Sequence, residues 1–126
     1  MSKAIIGTES TVAIRERLLE TARRADSGER LPEADYHLNF ADETQLFSEI
    51  TPQRWHLLTV LQSRQRSSIR TLADQLERPY NTVAQDVQRL IELGLIEETA
   101  RGIKVPFEAI ELRLSTAPSK TRTLAA

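Results

Sequence analysis

Apolar positions recur at helical spacing along much of the chain, most regularly between Ser67 and Leu95. Ile69, Leu72, Ala73 and Leu76 fall at i, i+3, i+4 and i+7, the buried stripe of one helix. Ser67 or Ser68 can cap it, because a serine oxygen accepts an N–H of the first turn. Glu77-Arg78-Pro79 ends it, since the residue before a proline is pushed out of the helical region. Pro79 fits the first turn of a second helix, which carries Val83, Val87, Leu90 and Ile91 inward and stops at Gly94, a left-handed cap. Two short helices joined by a tight turn make a helix-turn-helix.

The flanking patterns fill in the rest. Residues 1–9 read as a frayed start. Ser10 to Ala25 predicts a helix with Ile14, Leu18, Ala22 and Ala25 on one stripe and Leu19 beside it. That stripe is narrow and rich in alanine, so it packs on the domain or on a second copy of the chain. Asp26 to Asp35 is a polar connector with glycine and proline. Tyr36 to Phe40 alternates as a short strand, and Asp42 caps a short helix through Ile50, with Gln45 placed as in a capping box and Leu46, Phe47 and Ile50 inward. Thr51-Pro52 opens a helix that buries Leu57, Leu58 and Leu61.

After Gly94 the period changes from helical to alternating. Leu95 to Glu98 and Ile103 to Val105 flank Thr99-Ala100-Arg101-Gly102, a hairpin with glycine in its turn. A hairpin directly after a recognition helix is a wing. Ile110 to Leu114 alternates strictly and predicts one more strand, and residues 115–126 read as a flexible tail. The fold class is therefore α/β, mainly α: a winged helix-turn-helix over residues 36–114, with an extra N-terminal helix in an arm over 1–35 and a C-terminal strand.

Composition narrows the function. With no cysteine and only His37 and His56, thiolate and His-rich metal sites are excluded. No apolar run approaches the roughly 20 residues of a membrane span, and the N-terminus lacks the apolar core of a signal peptide. A cytoplasmic, nucleoid-associated protein with no membrane contact fits. No Ser-His-Asp set, glycine-rich phosphate loop or cofactor motif can be assembled, so the chain does not read as an enzyme and calls for no cofactor. His37 reads as an exposed strand residue, His56 as a helix-surface residue and Trp55 as packing. The net charge of −1 hides an asymmetry: residues 1–50 hold 6 Lys+Arg against 10 Asp+Glu, whereas residues 51–104 hold 8 against 6. The basic surplus sits around the helix-turn-helix, where phosphate attraction needs it.

The outward face of the second helix carries the candidate chemistry. Asn81, Gln85 and Gln88 lie at i, i+4 and i+7, with Tyr80, Thr82 and Arg89 beside them. A major groove admits one helix, and carboxamides can pair bidentately with adenine. These six are the predicted base-reading residues. Arg64, Arg66, Ser68, Arg70 and Arg78 are placed to hold the DNA backbone, with Arg101 and Lys104 on the wing. The same stripe could equally be a solvated face, and the fold could serve only as a protein-interaction module. An apolar recognition face would mark that alternative, and this one is polar.

Ile50-Thr51-Pro52-Gln53-Arg54, the paired Leu57-Leu58 and the run from Ser68 to Glu97 resemble winged-helix transcriptional regulators of the MarR-like superfamily. Ser68-Ile69, Leu72-Ala73, Val83, Asp86-Val87, Leu90, Gly94-Leu95-Ile96 and Val105-Pro106-Phe107 are similar, more narrowly, to a group of small antitoxin-like DNA-binding proteins. The resemblance covers residues 38–114. It implies a homodimer that binds an inverted repeat in double-stranded DNA and represses its own operon, with a protein toxin as a further partner. Pro79 departs from the pattern, standing where a capping serine is common. No effector pocket is evident.

Overall fold

The start of the chain is a strand where a frayed end was expected: Ala4-Ile5-Ile6 lies in the middle of a sheet. The computed structural model describes residues 2–28 and 34–116. In chain order its elements are β1 (Lys3–Gly7), α1 (Thr11–Asp26), β2 (Tyr36–Asn39), α2 (Glu43–Glu49), α3 (Pro52–Arg64), α4 (Ile69–Leu76), α5 (Tyr80–Glu92), β3 (Glu97–Thr99), β4 (Gly102–Lys104) and β5 (Ala109–Arg113). The chain is α/β, with five helices, a parallel sheet ordered β2-β1-β5 and a separate antiparallel pair β3-β4 among the described residues. The connector prediction falls partly, and the tail prediction almost wholly, outside the described residues.

β1 pairs in parallel with β2 (Ala4 opposite Tyr36) and with β5 (Lys3 opposite Ala109). A middle strand of a parallel sheet is covered on both faces, so it reads as a continuous apolar run rather than an alternation. Ala4, Ile5 and Ile6 are all buried. Parallel neighbours need a crossover, and α1 supplies it between β1 and β2. Ser10 caps α1 by accepting from the Ala13 N–H at 3.1 Å. Part of its apolar surface is open among the described residues: Val12, Leu18 and Leu19 are 58–63% exposed. No helix among the described residues is long and apolar enough to cross a membrane.

One face of the sheet lies on the helical core. Ala4 and Ile6 join Leu46, Leu57, Leu58, Leu61, Leu72, Val83, Val87 and Leu90 in one buried cluster, with Tyr36, Leu38 and Ile110 packed against it. Each helix start is fixed locally. Asp42 accepts from the Gln45 N–H at 2.8 Å, but Gln45 reaches back to the Ala41 N–H instead of closing a box on Asp42. Thr51 caps α3, with Pro52 in its first turn, and Ser68 caps α4. Leu46 and Ile50 are buried as expected. Phe47 is 52% exposed, because a seven-residue helix turns only one narrow side to the core.

Pro79 stands one position earlier than expected. It is the N-cap of α5, in extended backbone, and gives no side-chain hydrogen bond. Its carbonyl accepts from the Val83 N–H at 3.1 Å. α5 then ends at Gly94, whose φ of +81° an L side chain rarely adopts. Tyr36 closes over that turn, donating from its hydroxyl to the Leu93 carbonyl at 2.7 Å and stacking on Phe107 at 5.6 Å. The sheet is thereby locked to the end of α5.

Candidate nucleic-acid interface

α4 and α5 meet at the turn Glu77-Arg78-Pro79, where Glu77 takes left-handed backbone at φ +56° and lets the chain reverse. Leu72 and Ala73 on α4 face Val83 and Val87 on α5, which forces the opposite side of α5 outward. Tyr80, Asn81, Thr82, Gln85 and Gln88 are all exposed on that side. Asn81, Gln85 and Gln88 share one helical surface, as their spacing predicts, with Tyr80 and Thr82 at its two margins.

The hairpin sits beside this surface because it is tied to the turn before α4. Ser67 donates its N–H to the Ile103 carbonyl at 3.0 Å, and Ile103 returns an N–H to the Ser67 carbonyl at 2.8 Å. Gly102 must stay close: a Cβ there would stand 2.5 Å from the Ser67 carbonyl oxygen. Ser67 is buried for this reason, and its hydroxyl donates to the Ser68 carbonyl at 2.8 Å. A groove of about 380 Å³ runs between the hairpin and the helix pair, bordered by Ser68, Arg70, Tyr80, Glu98 and Thr99. Inside it the Arg70 guanidinium lies 5.3 Å over the Tyr80 ring, a cation–π contact that holds both groups at the start of α5.

The predicted cations divide into two groups. Arg66, Arg70 and Arg101 are exposed on the turn, α4 and the hairpin, and Lys104 is half-buried on β4. Arg64 donates to Gln75 at 2.5 Å and stays exposed. Arg78 and Arg89, by contrast, are engaged in an internal network. Asp86 accepts from Arg78 Nη2 at 2.7 Å and from Arg54 Nε at 3.0 Å. Glu49 accepts from Arg89 through both oxygens, at 2.7 and 2.9 Å, and lies 3.5 Å from Arg54. Arg89 also reaches Glu92 at 3.2 Å. The side chains of Arg78, Asp86 and Arg54 are 14–20% exposed, so this chain of charges sits at the margin of the core. It pins α5 to α2 and α3.

Sequence reasoning missed Glu49, Arg54 and Asp86 as partners. One sign was legible: Asp86 is the lone acid in the first two turns of a helix assigned to DNA. Such a residue repels phosphate unless a cation of its own chain neutralises it.

The Arg89 hydrogen bond, with the Arg89 and Arg54 charges, holds the Glu49 carboxyl below its ordinary value of 4.5 against the opposing effect of burial. Glu49 first, then Glu92, stabilises the Arg89 cation further still. A carboxyl whose folded pKa is depressed stabilises the fold above its unfolded pKa and loses that contribution as pH falls through the folded value. Thermal melts should therefore hold level above the ordinary carboxylate range and decline below pH 4.5. Part of that decline should vanish in Glu49→Gln; an identical acid limb in both proteins would remove Glu49 from the explanation.

A second, wider cleft of about 980 Å³ opens between the start of α1 and the end of the parallel sheet, bordered by Ile5, Thr8, Val12, His37, Asn39 and Arg113. It was not foreseen from the sequence and lies on the sheet face turned from the helical core. Among the described residues no group of His, Asp and Glu is arranged to hold a metal.

No curated protein and no solved structure matches the chain. The profile of one uncharacterised family, HVO_A0114, matches residues 49–112, from the Glu49 clamp to the sheet's last strand. That span is half of the 126 residues, and the chain belongs to the HVO_A0114 family.

Proposed function

We propose that this protein is a sequence-specific DNA-binding transcriptional regulator, with α4 and α5 as a helix-turn-helix and β3–β4 as its wing. The observation that carries the reading is the exposed polar stripe Asn81, Gln85 and Gln88 on a helix clamped from behind, with Arg66, Arg70 and Arg101 exposed on the elements around it. Amides can distinguish bases at their edges, and the arginines contribute attraction to any sequence. Asn81 and Gln85, nearest the N-terminus of α5, reach base edges; Arg101 places the wing on the backbone. One such module reads few bases, so the functional unit is a homodimer on an inverted repeat. Repression of its own operon, and pairing with a toxin, extend this reading through the resemblance of residues 38–114 to antitoxin-like proteins.

The test is fluorescence anisotropy on DNA from immediately upstream of the gene, against a scrambled duplex, at two salt concentrations. A preference of about a thousandfold lies in the range of specific binders. Gln85→Ala should cut that preference by about 1–3 kcal/mol, the value of a bidentate contact, while leaving scrambled DNA unaffected. Arg101→Ala should weaken both duplexes alike and reduce the salt slope by about 1. Equal losses on both duplexes for Gln85→Ala would remove it from base reading.

A second reading is favoured by one feature, the uncovered Val12, Leu18 and Leu19 on α1: a fold used for protein contact. Weak and equal binding to both duplexes is its signature.

A further inference from the structure

We infer that Glu49 withholds Arg89 from DNA and is thereby a specificity-determining residue; this rests on the DNA-binding reading above. Arg89 follows Gln88 directly and stands one turn beyond Gln85, on the flank of the amide stripe. When α5 lies in a groove about 12 Å wide, the flank of the helix faces a phosphate strand. An arginine there would bind any DNA and dilute the discrimination that the amides supply.

The geometry keeps it occupied. Both Glu49 oxygens take its guanidinium, the strong bidentate arrangement, and Glu92 takes a further N–H. Glu49 is itself held independently of Arg89. It ends α2, its carboxylate lies 3.5 Å from Arg54, and its carbonyl accepts from Arg54 Nη1 at 2.8 Å. The Arg89 side chain is still 39% exposed, so release needs only a rotation toward solvent, with no unpacking of the core. The acid that ends α2 therefore sets the charge that α5 presents.

The experiment is a salt titration of binding to an arbitrary duplex and to the preferred one. Glu49→Gln should bind the arbitrary duplex several-fold more tightly, steepen its log–log salt slope by about 0.9, and lower the ratio between the duplexes. Adding Arg89→Gln to that variant should return the slope to the starting value. If Glu49→Gln melts below the assay temperature, Arg89→Lys serves instead. Lysine cannot make the bidentate clamp, so it too should gain affinity for the arbitrary duplex. Unchanged slope and affinity in the folded variant, on a duplex the unaltered protein binds, overturns the inference and leaves the DNA reading standing. Absence of binding by every protein overturns both.

Discussion

Asp86→Ala is expected to lower the unfolding free energy by about 2–4 kcal/mol. The alanine removes the acceptor that Arg54 and Arg78 share and leaves Arg78 without its carboxylate. Breaking a fully buried pair costs roughly 3–5 kcal/mol, and the 14–20% exposure of these side chains reduces that. Arg78 is the more exposed to loss, since its Nη1 is already buried without a partner. Arg54 retains Glu49. Urea denaturation of Asp86→Ala and of Asp86→Ala with Arg78→Met should separate the causes: the second change should recover part of the loss. A cost below about 0.5 kcal/mol, typical of an exposed pair, would show that the network holds nothing in place.

The second large effect is at Gly94. Gly94→Ala is expected to cost about 2–3 kcal/mol, for two reasons that act together. Its φ of +81° costs an L residue roughly 1–2 kcal/mol. In addition the new methyl would stand 2.7 Å from the Tyr36 hydroxyl and 3.0 Å from Cζ of the ring, so the ring must move. Moving it loosens the hydrogen bond to the Leu93 carbonyl, worth about 0.5–1.5 kcal/mol. Tyr36→Phe alone loses only that bond. Combined with Gly94→Ala it removes the closest clash, so the double variant should be more stable than the sum of the singles predicts. Strict additivity would mean that Tyr36 does not pack on the turn.

These two positions differ in how far the sequence announces them. The turn at Gly94 is local: a glycine after a helical stripe is enough to place it, and α4, α5 and the hairpin follow from spacing in the same way. Asp86 and Arg78 are eight residues apart, and Arg89 and Glu49 forty, so their pairing exists only after packing. A charge in a sequence shows its sign and not its partner, so nothing in the sequence ties Arg78 to Asp86 or Arg89 to Glu49. Phe47 and Leu46 are adjacent and equally apolar, and only the angle at which α2 meets the core separates them. β1 was legible in part. Ala4-Ile5-Ile6-Gly7 is a short apolar run ending in glycine before a capped helix, the pattern of a strand entering a crossover. Its length and its place near the start of the chain hid it, since the run gains meaning only once two distant strands flank it.

The register between Lys3 and Ala109 sets an order of events during synthesis. Those partners are 106 residues apart, so at about 5–20 residues per second β1 leaves the ribosome roughly 5–20 seconds before β5 exists. α4, α5 and the hairpin, with their partners Tyr36, Glu49 and Ser67, all precede β5 in the chain and can assemble in that interval. β1 meanwhile has an open edge along its whole length, where β5 will pair. The nascent chain is therefore most prone to self-association just before its last strand is made, and slowing translation between β4 and β5 should lower the soluble yield.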